Sequence, residues 1–249
     1  MSPIRVSIAV FGLFFFLTSL NAGAALIMPL GDSITVGGGS WNSGGYRAHL
    51  AFLLQSGGHP FDFVGSQNSG ILTDDDHEGH WGWHADAIRD NVEGWLDQNP
   101  ADIILLHIGT NDILAGQQPA FIIAEIDGIL DNIYLFTPQA QVVLAQIINR
   151  RTYSPEVTEF NILLAELAMN RQQSGDSLYL VDMESALDYT TDMATDAHPN
   201  PYGYEKMADV WYAQLETLVP APVPASSNLL MLGLVCMAGI RLRLKRGEL

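Results

Sequence analysis

Five short apolar runs, at 26–30, 61–64, 103–108, 142–147 and 178–181, alternate with longer stretches whose apolar residues recur at helical spacing. A short run that is apolar on both faces has to be covered on both faces. The arrangement that achieves this repeatedly is a parallel sheet with helices packed on either side. Helices are expected at 46–55, 85–97, 119–136, 156–173 and 201–218, and Pro119 and Pro155 stand where a helix start tolerates proline. The expectation is one α/β domain over residues 25–219, a parallel sheet of about five strands with helices on its faces. The stretch 65–83 has no clear period and carries Asp74, Asp75 and Asp76, so it reads as a long loop, the kind of segment that often holds function. No internal repeat interrupts this pattern.

The two ends are apolar for other reasons. Arg5, the apolar run from Val6 to Leu20 and the small residues Ala22, Gly23 and Ala24 have the form of a cleavable secretory signal over residues 1–24. At the other end a Pro-rich stretch from Val219 to Pro224 leads into an apolar segment, 229–240, and then Arg241, Arg243, Lys245 and Arg246. The basic cluster is expected to stay on the cytoplasmic side while the preceding chain is exported. This ending, 220–249, resembles the PEP-CTERM sorting signals of Gram-negative bacteria, although the Pro-Glu-Pro that names them is missing. A single-pass tail anchor is the alternative. Either way, export to the periplasm, cell surface or medium is expected, with membrane contact only through the C-terminal segment.

Charge narrows the partners. The 249 residues carry 28 Asp and Glu against 11 Lys and Arg, a net charge of −17, and five of the eleven cations sit in the two ends. The domain between them is more acidic still, and such a surface repels nucleic-acid phosphates and anionic lipid. Cys236 is the only cysteine and falls in the tail, which excludes cysteine catalysis and a disulfide framework in the domain.

In a parallel α/β sheet, ligands collect beyond the carboxyl ends of the strands. Three such positions carry reactive side chains. The first predicted strand runs into Gly31-Asp32-Ser33-Ile34-Thr35, the third into Gly109-Thr110-Asn111-Asp112, and Asp196-Ala197-His198-Pro199-Asn200 precedes the last helix. A hydroxyl, a carboxamide and an imidazole are the parts of acyl transfer: nucleophile, oxyanion donor and general base.

These blocks, with Gly44-Gly45-Tyr46-Arg47 and His77-Glu78-Gly79-His80-Trp81-Gly82-Trp83, resemble the SGNH (GDSL) hydrolase superfamily. The resemblance runs from Leu26 to about Leu218 and is strongest to the branch of the family 3 carbohydrate esterases, many of which deacetylate xylan. It implies a three-layer αβα sandwich with a flavodoxin-like sheet, with Ser33 as the nucleophile and His198 as the base. It also implies that the backbone N–H groups of Ser33 and Gly82, with the side-chain amide of Asn111, form the oxyanion hole, while Asp32 and Thr35 hold the turn. The implied substrate is a small acyl ester, an acetyl ester above all, such as an acetylated polysaccharide. No cofactor and no metal is implied.

The chain departs from the family at the residue that orients the histidine. The family places an Asp three residues before it, and here that residue is Thr195, with Asp196 two before and Asp192 six before. Asp196 is the first choice for the orienting role. Thr195 as a hydrogen-bond acceptor, or a Ser–His dyad oriented by a backbone carbonyl, are the alternatives. Asp74, Asp75, Asp76, His77, Glu78, His80 and His84 form a competing cluster, whose spacing is not that of a zinc protease and for which a solvated acidic loop, or calcium on the aspartates, is the reading. Trp41, Trp81 and Trp83 lie beside the catalytic blocks, where an indole stacks on a sugar ring or packs the core with equal ease; Trp95 belongs to an amphipathic helix face. The rival functions are a lysophospholipase or thioesterase of the same superfamily, an inactive surface binding module on this scaffold, and a metal-dependent hydrolase built on the His77–His84 loop.

Overall fold

A computed structural model describes residues 23–41 and 43–221. Both sorting segments therefore lie outside the described residues, apart from Gly23, Ala24, Pro220 and Ala221. In chain order the elements are β1 (Ala25–Gly31), α1 (Ser33–Val36), α2 (Gly45–Ser56), β2 (Phe61–Phe63), β3 (Gln67–Asn68), β4 (Asp76–Gly79), α3 (Ala85–Gln98), β5 (Ile103–His107), α4 (Thr110–Leu114), α5 (Pro119–Phe136), β6 (Gln141–Ala145), α6 (Pro155–Gln173), β7 (Leu178–Val181) and α7 (Pro201–Leu215).

β1 is an interior strand. β5 runs along one edge of it over Ile27–Gly31, so β2, which pairs with 25–27, and β4, which pairs with 30–31, share the other edge end to end. β6 and β7 follow beyond β5, and all these pairs are parallel. The sheet thus has five parallel lanes in the order expected of a flavodoxin-like fold. β3 adds one short antiparallel pair on β4.

Side chains alternate across the sheet with the period of two that a pleated strand imposes. Ile27, Ile103, Leu105, Val143 and Ala145 pack with Tyr46, Leu50 and Leu54 of α2 and Tyr204, Met207 and Trp211 of α7. Met28, Leu30, Ile104, Leu106, Val142 and Leu144 pack on the opposite face with Ile88 and Val92 of α3, Ile126 and Ile129 of α5, and Phe160 and Leu164 of α6. The apolar runs are buried on both faces, as the alternation requires.

Two expectations need correction. The stretch 65–83 is not only a loop, because β3 and β4 lie within it. β4 reads Asp76-His77-Glu78-Gly79, with no apolar alternation, and is a strand because parallel pairing with Leu30 and Gly31 holds it there. The last helix ends at Leu215 rather than at 218. Two short helical turns, α1 and α4, were also absent from the expectation, and each begins just after the carboxyl end of a strand. Among the described residues no helix is long and apolar enough to cross a membrane.

Candidate active site

The strand ends deliver the site one residue at a time. β1 stops at Gly31, whose Cα faces the His107 carbonyl so closely that a Cβ would lie 2.2 Å from that oxygen. Asp32 then caps α1, its Oδ1 accepting the Ile34 N–H at 2.8 Å, and Ser33 becomes the first helical residue. Early amides of a helix have no intrahelical acceptor, so the Ser33 N–H is a free donor at its own hydroxyl's side. Buried Arg47 of α2 fixes the other end of this turn. Its Nε donates to the Thr35 carbonyl at 3.1 Å and its Nη2 to that of Val36 at 3.1 Å, while further bonds reach the carbonyls of Ser69 and Asp75.

The His198 ring arrives from the loop after β7. Asn200 caps α7, its Oδ1 accepting from the N–H groups of Tyr202 and Gly203. The loop closes on itself through Ala194 N–H to the His198 carbonyl at 2.9 Å and a bridge between Met193 and Pro199. Ser33 Oγ and His198 Nε2 are 2.9 Å apart. On the far side of the ring Nδ1 lies 3.1 Å from Thr195 Oγ1, and that oxygen also accepts the His198 backbone N–H at 3.0 Å. With one lone pair on that amide the hydroxyl oxygen has a second for an Nδ1 proton, and in that tautomer Nε2 accepts from Ser33. Burial lowers the His198 pKa below the ordinary histidine value, which keeps the ring neutral.

Asp196 does not meet the expectation placed on it. Its Oδ1 accepts the Thr152 N–H at 2.8 Å, Oδ2 pairs with Arg150, and its backbone carbonyl accepts the Arg151 N–H. These bonds hold its carboxylate below the usual carboxylate range and direct it to the 149–152 loop, away from the imidazole. Asp192 is likewise taken, by Lys206 Nζ at 2.5 Å and the Asp188 N–H at 2.7 Å. The side chain on His198 is Thr195, at the position where the family carries Asp.

Asn111 sits on α4, directly after β5. Its Nδ2 donates to the Trp83 carbonyl at 2.9 Å and lies 3.4 Å from Asp32 Oδ2, which brings the carboxamide beside the nucleophile turn. Asp32 is fully buried and its pKa is raised to about 7, first by burial and further by the nearby Asp112. Asp112 in turn accepts the Ala85 N–H and stands 3.4 Å from His84 Nδ1.

Gly82 belongs to the turn 80–83, closed by Trp83 N–H to the His80 carbonyl at 3.3 Å and tied to β1 by His80 N–H to the Gly31 carbonyl at 2.9 Å. Its φ of +73° is left-handed, and a Cβ there would meet nothing within 4 Å, so backbone conformation rather than crowding selects glycine. The preceding Trp81 is 62% exposed, and its ring centroid is 5.8 Å from that of His198. Both face Gly38, where a Cβ would lie 2.7 Å from His198 Cδ2 and 2.9 Å from Trp81 Cη2. Trp41 is also exposed; Trp83 and Trp95 are half-buried and pack against the core.

The acidic cluster does not converge. Asp74 accepts the Phe63 N–H, Asp76 bonds Asn68, His77 bonds Ser69, and Glu78 bonds Ser66 and His80. Among the described residues no three His, Cys, Asp or Glu side chains are grouped as a metal would require.

Comparison with known proteins agrees with this geometry. Residues 30–206 match the model of the GDSL-like Lipase/Acylhydrolase family. A multidomain esterase of Ruminococcus flavefaciens is 30% identical over 82% of this chain, which spans only 30% of that longer protein's length. Among solved structures, a family 3 carbohydrate esterase of Clostridium thermocellum superposes with a TM-score of 0.72 at 32% identity, covering 79% of this chain and 100% of the other. An acetyl esterase solved as a serine-to-alanine mutant with acetate ion gives 0.70 at 26% identity, covering 78% of this chain and 97% of the other. With its αβα fold and the Ser33 turn at the end of β1, the chain belongs to the GDSL-like lipase/acylhydrolase family.

Proposed function

We propose that this protein is an exported serine esterase that removes small acyl groups, acetyl above all, from carbohydrate through a Ser33 acyl-enzyme. The observation that carries the reading is the 2.9 Å contact between Ser33 Oγ and His198 Nε2, with Nδ1 already occupied by Thr195. His198 takes the Ser33 proton as Oγ attacks the ester carbonyl, and returns it to the leaving alcohol as the tetrahedral intermediate collapses. Water then attacks the acyl carbonyl as His198 takes its proton, and collapse of the second intermediate returns that proton to Ser33 Oγ and frees the carboxylic acid. The oxyanion of each tetrahedral intermediate is received by the N–H groups of Ser33 and Gly82 and by Asn111 Nδ2, each worth about 3 kcal/mol in such a role. Thr195, rather than Asp196, orients the imidazole. It fixes the tautomer and adds no counter-charge.

The acetyl and carbohydrate assignments rest on the similarity to an acetyl esterase and to a family 3 carbohydrate esterase. Exposed Trp81 beside His198 suits an acylated sugar ring. Export rests on the leader-like residues 1–24, with 25–219 as the catalytic domain and 220–249 as the sorting segment.

The test compares p-nitrophenyl acetate hydrolysis and acetate release from acetylated xylan by the protein and by its Ser33→Ala and His198→Ala variants. Loss in both variants on the order of 10³ or more in kcat/KM is expected. Equal hydrolysis by all three proteins overturns the Ser–His assignment, and turnover of long-chain lysophospholipid in preference to acetyl esters overturns the substrate.

A further inference from the structure

The imidazoles and carboxylates of the 76–84 segment have a different task from metal binding. Glu78 is fully buried, and its carboxylate accepts from Ser66 N–H at 2.7 Å, from Ser66 Oγ at 2.8 Å and from His80 Nε2 at 2.7 Å. The His80 ring packs against two neighbouring indoles, with centroids 4.2 Å and planes 23° from Trp83 and 4.7 Å and 15° from Trp95, and the two indoles are 5.6 Å from each other. One ring is therefore held by a hydrogen bond to a buried carboxylate and by a cluster of three aromatic rings in mutual contact.

The backbone of the same residues builds the turn beside the nucleophile. His80 N–H bonds the Gly31 carbonyl, Trp83 N–H closes the turn over Gly82, and the Trp83 carbonyl accepts the Asn111 side-chain amide at 2.9 Å. Burying a carboxylate is expensive, and apolar side chains would brace the start of α3 at lower cost. The charge is instead spent on the ring whose own backbone carries Gly82 and reaches Asn111 through Trp83.

We propose that the Glu78–His80 pair, packed against Trp83 and Trp95, is the positioning unit of the oxyanion hole, setting the Gly82 N–H and the Asn111 amide at the distance the tetrahedral intermediate requires. These residues act through the turn and touch no substrate. The proposal rests on the Ser–His reading above. It predicts that disturbing the pair weakens the transition state and leaves ground-state binding intact.

The test uses the full chain with Glu78→Gln, which removes the charge at constant shape, and His80→Phe, which keeps the stack and removes the hydrogen bond. Three quantities are measured: kcat and KM for p-nitrophenyl acetate, the rate of inactivation by diethyl p-nitrophenyl phosphate, whose phosphoryl oxygen stands where the oxyanion would, and the melting temperature. In both variants kcat and the inactivation rate are expected to fall together by about 10- to 100-fold, with KM within twofold of the parent. A lower melting temperature with kcat and inactivation rate within twofold, measured where the variants are folded, makes the pair a structural brace only and overturns the proposal. A rise in KM at constant kcat overturns it as well, since the pair would then be part of a binding wall. If neither variant folds, Trp95→Phe, which trims one of the two indoles packed on His80, is read by the same criteria. Parent and Ser33→Ala hydrolysing at equal rates would instead overturn the underlying reading, so the two failures are distinct.

Discussion

A hydroxyl at position 195 does part of what a carboxylate would do for His198. Its Oγ1 lies 3.1 Å from Nδ1, placed to receive a proton there, and it offers no charge to an imidazolium formed during attack. With burial also lowering the His198 pKa, the base stays neutral to more acidic pH than an ordinary histidine. The acid limb of the kcat/KM profile is therefore expected below the usual histidine range. Thr195→Asp places a counter-charge on the ring, so the limb should move to higher pH and kcat should rise by roughly tenfold; a full pH–rate profile of both proteins reads the two effects together. An unchanged limb would mean that residue 195 does not act on the ring. Asp196 gives the complementary case. Its carboxylate is held by Arg150 and Thr152, so Asp196→Asn is expected to reduce kcat/KM less than about tenfold, against the loss on the order of 10³ in His198→Ala. A collapse of Asp196→Asn to the His198→Ala level would restore the aspartate to the orienting role.

At the scale of elements, the site is held by contacts between segments that are distant in sequence. Arg47 of α2 donates to the Thr35 and Val36 carbonyls behind the nucleophile turn and to the Ser69 and Asp75 carbonyls of the stretch between β3 and β4. Among the described residues no carboxylate pairs with it directly, and burial lowers its pKa to about 10. A lysine ammonium has one nitrogen and does not span these acceptors. Arg47→Lys should thus leave several buried carbonyls unpaired and reduce unfolding free energy by at least about 3 kcal/mol, as measured by denaturant titration. A change under about 1 kcal/mol would show that water replaces the guanidinium without loss.

At the scale of the whole molecule, buried histidines set the response to acid. His107 closes β5 inside the core, where burial lowers its pKa to about 4, and its Nδ1 has no hydrogen-bond partner among the described residues. Unfolded, the same ring titrates near 6.5. Between these values the unfolded chain binds the extra proton, so stability is lost as pH falls through 6.5 and continues to fall until about 4. By pH 5 this one group has removed about 2 kcal/mol relative to neutral pH. His107→Leu should therefore show a smaller drop in melting temperature between pH 7 and pH 5 than the parent, and equal drops would dismiss the histidine as the acid sensor. Asp32 acts in the opposite direction, since its raised pKa stabilises the fold as pH falls from about 7 toward 4.

The sequence by itself determined the parallel sheet, because runs such as Ile103–His107 and Leu178–Val181 are too apolar and too short to be anything but strands covered by helices. It also marked Ser33, Asn111 and His198, since each follows a strand or precedes a helix start whose signals are local. Only the tertiary structure made Asp76–Gly79 a strand, because its residues carry no apolar period and parallel pairing with β1 supplies the order. The partner of His198 was also undecided by spacing, since a carboxylate two residues away and a hydroxyl three residues away are both within reach of the ring in a loop. The 149–152 segment, some forty residues earlier in the chain, binds Asp196 and leaves the ring to Thr195. Hydrogen bonds that depend on loops brought together by the fold leave no periodic trace in a sequence, whereas burial on a strand or a helix face does.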